Sequence, residues 1–252
     1  MINRFAILCM TAAAVFAAPQ EAAKSEALPK AETILDRYIE VTGGKAAYAK
    51  VTSEITTGTM EFAAQGLKGS MTTYAAPPDK TYVAIELDGI GKVESGTIDG
   101  LAWDKNAMTG PHVKSGEEKT QSLHDATFNS TLNWRSLYPK VETVGAETID
   151  GEVCYKVVLT PSEGRQVTSY YQKKSGLVVK RTMVAASQMG DQPVETVVSD
   201  YKDFGGILMP TRMLNKLAGQ EFTMTIQTVK ANEVIPADKF DPPAEIKALL
   251  KK

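Results

Sequence analysis

The chain has 252 residues, 43% hydrophobic and 23% charged, a length that fits one large β domain as well as two small ones and a composition too apolar for a disordered chain. Its 28 Lys and Arg against 30 Asp and Glu give a formal charge of −2, or −3 without Arg4, which excludes the basic footprint of a nucleic-acid binder.

In chain order the first expected element is a leader. A short n-region from Met1 to Arg4 precedes an uncharged run from Phe5 to Ala18, the shape of a secretory signal peptide. Val15 and Ala17 take the −3 and −1 positions of a small-residue cleavage site, so residues 1–17 are expected to be removed near Ala17 and the mature chain to be periplasmic. The competing reading is an N-terminal anchor or buried helix, but the run meets Pro19-Gln20-Glu21 too soon to span a bilayer. Cys9 is not read as a lipid attachment site, because Leu8 precedes it where Gly or Ala is needed. Cleavage leaves Cys154 as the one cysteine, so no intramolecular disulfide is expected and the fold must stand on its core. No later segment is long and apolar enough to cross a membrane, and a soluble mature chain is expected.

Residues 18–28 read as a mobile polar spacer, and residues 29–252 as a single domain. Pro29 suits the first turn of a helix. Ile34, Leu35, Tyr38 and Ile39 then fall on one face at helical spacing, and Gly43-Gly44 supplies the stop, which predicts a helix over Pro29–Thr42. One more turn is expected over Lys45–Lys50. Short segments rich in Val, Ile, Thr and Tyr follow, broken by Asp88-Gly89, Asp99-Gly100, Asp150-Gly151, Ser175-Gly176 and Gly205-Gly206, which read as hairpin turns. Val83, Ile85 and Leu87 alternate with Tyr82, Ala84 and Glu86. Val153, Tyr155, Val157 and Leu159 alternate with Cys154, Lys156 and Thr160, and Phe222, Met224 and Ile226 with Thr223, Thr225 and Gln227. One face is expected to be apolar and the other wet. Tight turns cannot join parallel strands, so the sheet is predicted to be antiparallel and meandering. Between Met108 and Lys140 the series is interrupted. Ser115 to Glu118 has capping-box spacing ahead of a helix reaching Phe128, and Asn133–Tyr138 reads as a second short helix. After Pro236 the chain leaves the sheet, and Ala244–Leu250 forms a terminal helix.

Enzyme motifs are absent. His112, His124 and Cys154 match no zinc spacing, and both histidines read as solvated surface residues. No Gly-x-Ser-x-Gly elbow or phosphate-binding loop occurs; Gly89-Ile90-Gly91-Lys92 follows Asp88 into a strand and reads as a turn. The carboxylate pairs Asp99 with Asp104 and Asp200 with Asp203 have turn and edge explanations, and Cys154 reads as a half-buried filler with no histidine nearby to activate it. The chain is therefore expected not to be an enzyme and to carry no cofactor and no metal.

The stretches Asp150–Leu159, Val167–Gln172, Lys174–Arg181 and Ser199–Pro210 resemble the C-terminal half of LolA/LolB-like proteins, the outer-membrane lipoprotein-sorting carriers, and the helix from Ile34 to Glu40 ending in Gly43-Gly44 is similar too. The resemblance implies a mainly β (α+β) fold: a single curved antiparallel sheet of about eleven strands, an unclosed half-barrel wrapped around a few helices that lid an apolar hollow. It also implies a periplasmic carrier that holds acyl chains of lipids or lipoproteins and delivers them towards the outer membrane, between an inner-membrane donor and an outer-membrane acceptor, with a monomer expected. The alternative is a non-enzymatic envelope sensor or scaffold of the same fold that binds a protein partner. The candidate lining of the hollow is Val83, Ile85, Leu87, Phe222, Met224 and Ile226. Met60, Met71, Met183, Met209, Met213 and Met224 also lie in predicted strands, either as adaptable contacts for a chain or as plain core.

Overall fold

Period-two alternation punctuated by tight turns builds thirteen strands, all of them in one antiparallel sheet. The computed structural model describes residues 27–107, 109–187 and 190–251. The expected leader, and residues 18–26 of the expected spacer, lie outside them.

The chain opens with α1 (Ala31–Val41) and a single turn, α2 (Lys45–Ala49). A six-stranded meander follows: β1 (Glu54–Phe62), β2 (Leu67–Ala76), β3 (Lys80–Leu87), β4 (Gly91–Ile98), β5 (Leu101–Asn106) and β6 (Gly110–Val113). After α3 (Gly116–Asp125) and α4 (Trp134–Leu137) comes a second meander. It comprises β7 (Lys140–Ile149), β8 (Glu152–Thr160), β9 (Val167–Gln172), β10 (Val178–Ala185), β11 (Gln192–Phe204), β12 (Ile207–Leu217) and β13 (Gln220–Ala231). A helical turn at Ala237–Phe240 and α5 (Ala244–Leu249) end the chain. No described helix is long and apolar enough to cross a membrane.

The two meanders join through β1 and β13, so β6 and β7 are the free edges and the sheet does not close on itself. That is the unclosed sheet the sequence implied, with thirteen strands in place of about eleven. The segment carrying α3 and α4 passes from one free edge to the other. Asp99-Gly100 and Asp150-Gly151 both have positive φ at each residue (48° and 75°, 49° and 81°), the backbone that two-residue hairpins require.

The first helix shows why its glycine stop matters. Ile34, Leu35 and Ile39 are buried on the side facing β8–β11, in a core with Trp134, Val157, Leu159, Tyr171, Val178 and Val198. At its end Gly43 has φ +136°, and a Cβ there would run into the carbonyl oxygen of Gly206, while the Leu208 amide donates to the Thr42 carbonyl at 2.9 Å. The glycine pair that stops the helix is thus seated on the glycine pair that turns β11 into β12.

One expectation needs correction. The opposite face of β3–β5 is not simply wet: Tyr82 and the fully buried Trp103 pack there with Phe240 and Ile246 from the C-terminal segment in a second, convex-side core. Beside it the Glu94 carboxylate accepts from the Tyr82 hydroxyl at 2.6 Å and from Lys92 at 2.8 Å.

Gly43→Ala is expected to lower stability by about 1–3 kcal/mol through both the strained φ and the lost approach to Gly206, read as a lower urea midpoint; an unchanged midpoint would refute this seating. Glu94→Gln should cost about 1 kcal/mol at neutral pH. Burial opposes ionisation of Glu94, but its bonds from Lys92 and Tyr82 prevail and hold its pKa below the ordinary 4.5. The stabilisation is therefore present above that value and is lost as pH falls through the depressed folded pKa, so melting curves of wild type and variant should converge in acid.

Candidate binding site

Directly paired residues of antiparallel strands share a face, so the register fixes which side chains line the concavity. One row runs Leu87, Gly69, Met60, Met224, Met213, Val198 across six strands. A second runs Ile85, Met71, Gly58, Ile226, and Val83 and Phe222 fall on the same side by alternation. The register thus brings all six candidate residues to one face, although they come from strands three places apart in the sheet. Met183 and Met209 follow the same parity, so every one of the six strand methionines lies on the concave side.

Helix cover of this face is uneven. Over β8–β11 it lies beneath α1 and Trp134. On β3 and β13 Val83, Ile85, Leu87, Phe222, Met224 and Ile226 are all half-buried, while Met60 on β1 and Met71 on β2, between them, are buried. Phe62 and Phe222 stack there with ring centroids 5.1 Å apart. Two hollows flank the band. One of about 480 Å³ lies between α2 and the ends of β1, β12 and β13, reaching Ile207, Met209 and Val229; another of about 330 Å³ lies beneath α3 and is lined by Val83, Thr73 and Ser95.

The helix α3 straps the two halves of the sheet together through polar bonds. Towards the first meander, Glu118 meets His112 at 2.9 Å and Ser122 accepts from Lys114 at 3.0 Å. Towards the second, Gln121 donates to the Val184 carbonyl at 3.2 Å and accepts from the Ala186 amide at 2.9 Å, while Arg165 forks onto Glu117 at 2.6 and 2.8 Å. No residue of α3 is buried. The strap is hung by hydrogen bonds and not set into a core. At the α1 end, Arg135 holds Asp36 at 2.6 Å and stacks on Trp134, and this pairing pulls the Asp36 carboxyl below its usual value.

Arg181 was not singled out by sequence. It faces the concavity from β10, paired with Ser169 and Thr196, and with Tyr38, Tyr138, Tyr171 and Trp134 it lines a cavity of about 70 Å³ between α1, the stretch around α4, and the sheet. It makes no hydrogen bond or ion pair with any described residue. The residue is exposed where it opens onto this cavity, and an arginine keeps its charge at any pH the protein meets, so it is a fixed cation there. Burial pushes up the phenols of Tyr138, Tyr171 and Tyr201, which stay protonated; Tyr201 donates to the Val178 carbonyl at 2.8 Å, and Tyr138 and Tyr171 line the cavity. The bulge in register between Val178 and Lys180 explains why alternation could not place Arg181.

The histidines differ from their expected solvated state. His112 is half-buried on Glu118, near Asp104, their ligand atoms all within 4.8 Å, and Lys114 also approaches Asp104 at 3.9 Å. His124 packs edge-on against Tyr138 at 5.0 Å. Cys154 is buried completely, not half, and burial raises its thiol pKa, as for an inert filler.

An open antiparallel sheet with helices in its concavity is an arrangement shared with known structures. A DUF1329 family protein from Desulfovibrio piger matches with a TM-score of 0.57 at 15% identity, over 85% of this chain and 98% of that one. The LolA superfamily protein NE2245 from Nitrosomonas europaea matches at 0.56 and 13%, over 85% and 99%. A domain named as an outer membrane lipoprotein-sorting protein from Vibrio parahaemolyticus matches at 0.55 and 14%, over 88% and 100%. The chain has a LolA-like fold. No family model matches the sequence, and no curated protein does.

Removing the polar hangers should free α3 without melting the sheet. In Gln121→Ala combined with Arg165→Ala, amide exchange over residues 116–125 is expected to quicken while β8 and β9 keep their protection; unchanged exchange in α3 would show that something else holds it.

Proposed function

We propose that this chain is a cell-envelope binding protein, periplasmic in the mature form, that holds the acyl chains of lipids or lipoproteins against its concave face and passes them towards the outer membrane. The observation that carries this reading is the band of apolar side chains across β13, β1, β2 and β3, half-buried on β13 and β3, with Met60 and Met71 buried between them. Val83, Ile85, Leu87, Phe222, Met224 and Ile226 are its proposed contacts, with Met60 and Met71 between them. The LolA-like fold supports the reading, since one structural neighbour is named for lipoprotein sorting.

The energetics suit carriage. Each methylene taken from water contributes about 0.8 kcal/mol, so a 16-carbon chain gains roughly 12 kcal/mol over water before ordering costs. Against a bilayer the gain is close to nothing, because lipid tails are already dry. A carrier needs only to match the membrane, and the acceptor sets the direction. Methionines, unbranched and polarizable, let one surface accommodate chains of different shape.

Protein taken from the periplasm is expected to carry lipid that native mass spectrometry detects and organic solvent removes. Ile85→Arg should weaken uptake of a fluorescent fatty acid by roughly tenfold or more while the melting temperature stays within a few degrees. A clean apo mass together with no uptake by wild type would refute the proposal.

A further inference from the structure

We infer that Arg181 and the phenol hydroxyls around it form an anion subsite, which takes the carboxylate or phosphate head of an amphiphile whose chain lies on the apolar band. The inference rests on the acyl-holding reading above and adds the chemistry of the head group.

A guanidinium presents five donors, which a carboxylate or backbone carbonyls can receive. Arg181 has neither among the described residues, and Tyr38, Tyr138 and Tyr171 line the same cavity. A cation ringed by hydroxyl donors favours an oxyanion, whose lone pairs can accept from all of them. Size agrees: about 70 Å³ admits several waters, hence a carboxylate or phosphate, but not an acyl chain.

Polarity falls off along the sheet from Arg181 towards β3. Arg181 pairs with Ser169 on one side and Thr196 on the other. Thr196 pairs with and donates to Asn215, and Asn215 pairs with Phe222. From Phe222 onwards the concave face is Met224, Met60, Met71 and Ile85. Three strand spacings, about 14 Å, separate the guanidinium from the first aromatic of the band. Charge, then small polar groups, then apolar surface is the order of groups in an amphiphile; a site for a free ion has no use for the apolar part.

The test measures binding of dodecanoate, dodecyl phosphate, dodecanol and inorganic phosphate to the wild-type protein, Arg181→Gln and Arg181→Lys, each checked for folding by its melting curve. Wild type is expected to bind both anionic amphiphiles roughly tenfold more tightly than dodecanol. Arg181→Gln should lose that preference while keeping dodecanol affinity within about twofold, and Arg181→Lys should retain part of it. Equal affinities in wild type, or a preference that survives in Arg181→Gln, would overturn the subsite and leave acyl binding standing. Inorganic phosphate binding as tightly as dodecyl phosphate would overturn the amphiphile in favour of a free ion. Failure of all four probes to bind would remove the acyl-holding reading and this inference with it.

Discussion

The structure depends on a sheet that curls without closing. Thirteen antiparallel strands leave β6 and β7 as free edges, and α3 bridges the two halves largely through side-chain hydrogen bonds and ion pairs. Had backbone pairing closed the sheet, the interior would be set by barrel geometry and filled by side chains. Had α3 carried an apolar face, it would have sunk into the concavity and plugged it. Its sequence, Gly-Glu-Glu-Lys-Thr-Gln-Ser-Leu-His-Asp, prevents that, because nearly every residue is better solvated than buried. A polar strap across an apolar concavity keeps the space beneath it from collapsing, and exposed bonds of this kind are individually weak enough to break and remake.

Division of labour on the sheet follows from the same constraint. The second meander holds the structural core, with α1 and Trp134 packed on β8–β11. The first meander is stabilised from outside, by the C-terminal segment against Tyr82 and Trp103. With a core on the convex side too, the concave side of β3 is left half-buried, while Met60 and Met71 on β1 and β2 are buried beside it. Arg181 lines the small cavity on the α1 side of the concave face, three strands from Phe222, which is where a polar head group would sit if its chain lay towards β1–β3.

Much of the fold was legible in the sequence because it is written in local chemistry. Asp-Gly turns, period-two alternation and the glycine stop of α1 are short-range signals, and each met its counterpart within a few residues. The β12–β13 hairpin was less visible because it turns on Ala218-Gly219, where alanine adopts φ 51° without the usual Asn or Asp. The six candidate lining residues were placed on the correct apolar faces by alternation, yet that these faces belong to one concavity depends on the pairing of β1 with β13, between strands far apart in sequence. Arg181 was hidden by a bulge that shifts parity within β10, and Asp200, with φ 56°, lies between Val198 and Tyr201, both of which reach the core. Periodicity is blind to such breaks. The convex core was missed because Tyr82 reads as outward-facing until Phe240 and Ile246 of the C-terminal segment are seen to pack on it and on Trp103.

If the concave apolar band is open to solvent in the folded protein, a thiol placed on it reacts without unfolding. Met224→Cys in a Cys154→Ser background places a thiol on the band, and wild-type Cys154, fully buried, serves as the folded-state reference. The account predicts that a small maleimide modifies the new thiol on the order of a hundredfold faster than Cys154 under native conditions. Equal protection of the two thiols, both reacting only on unfolding, would contradict it.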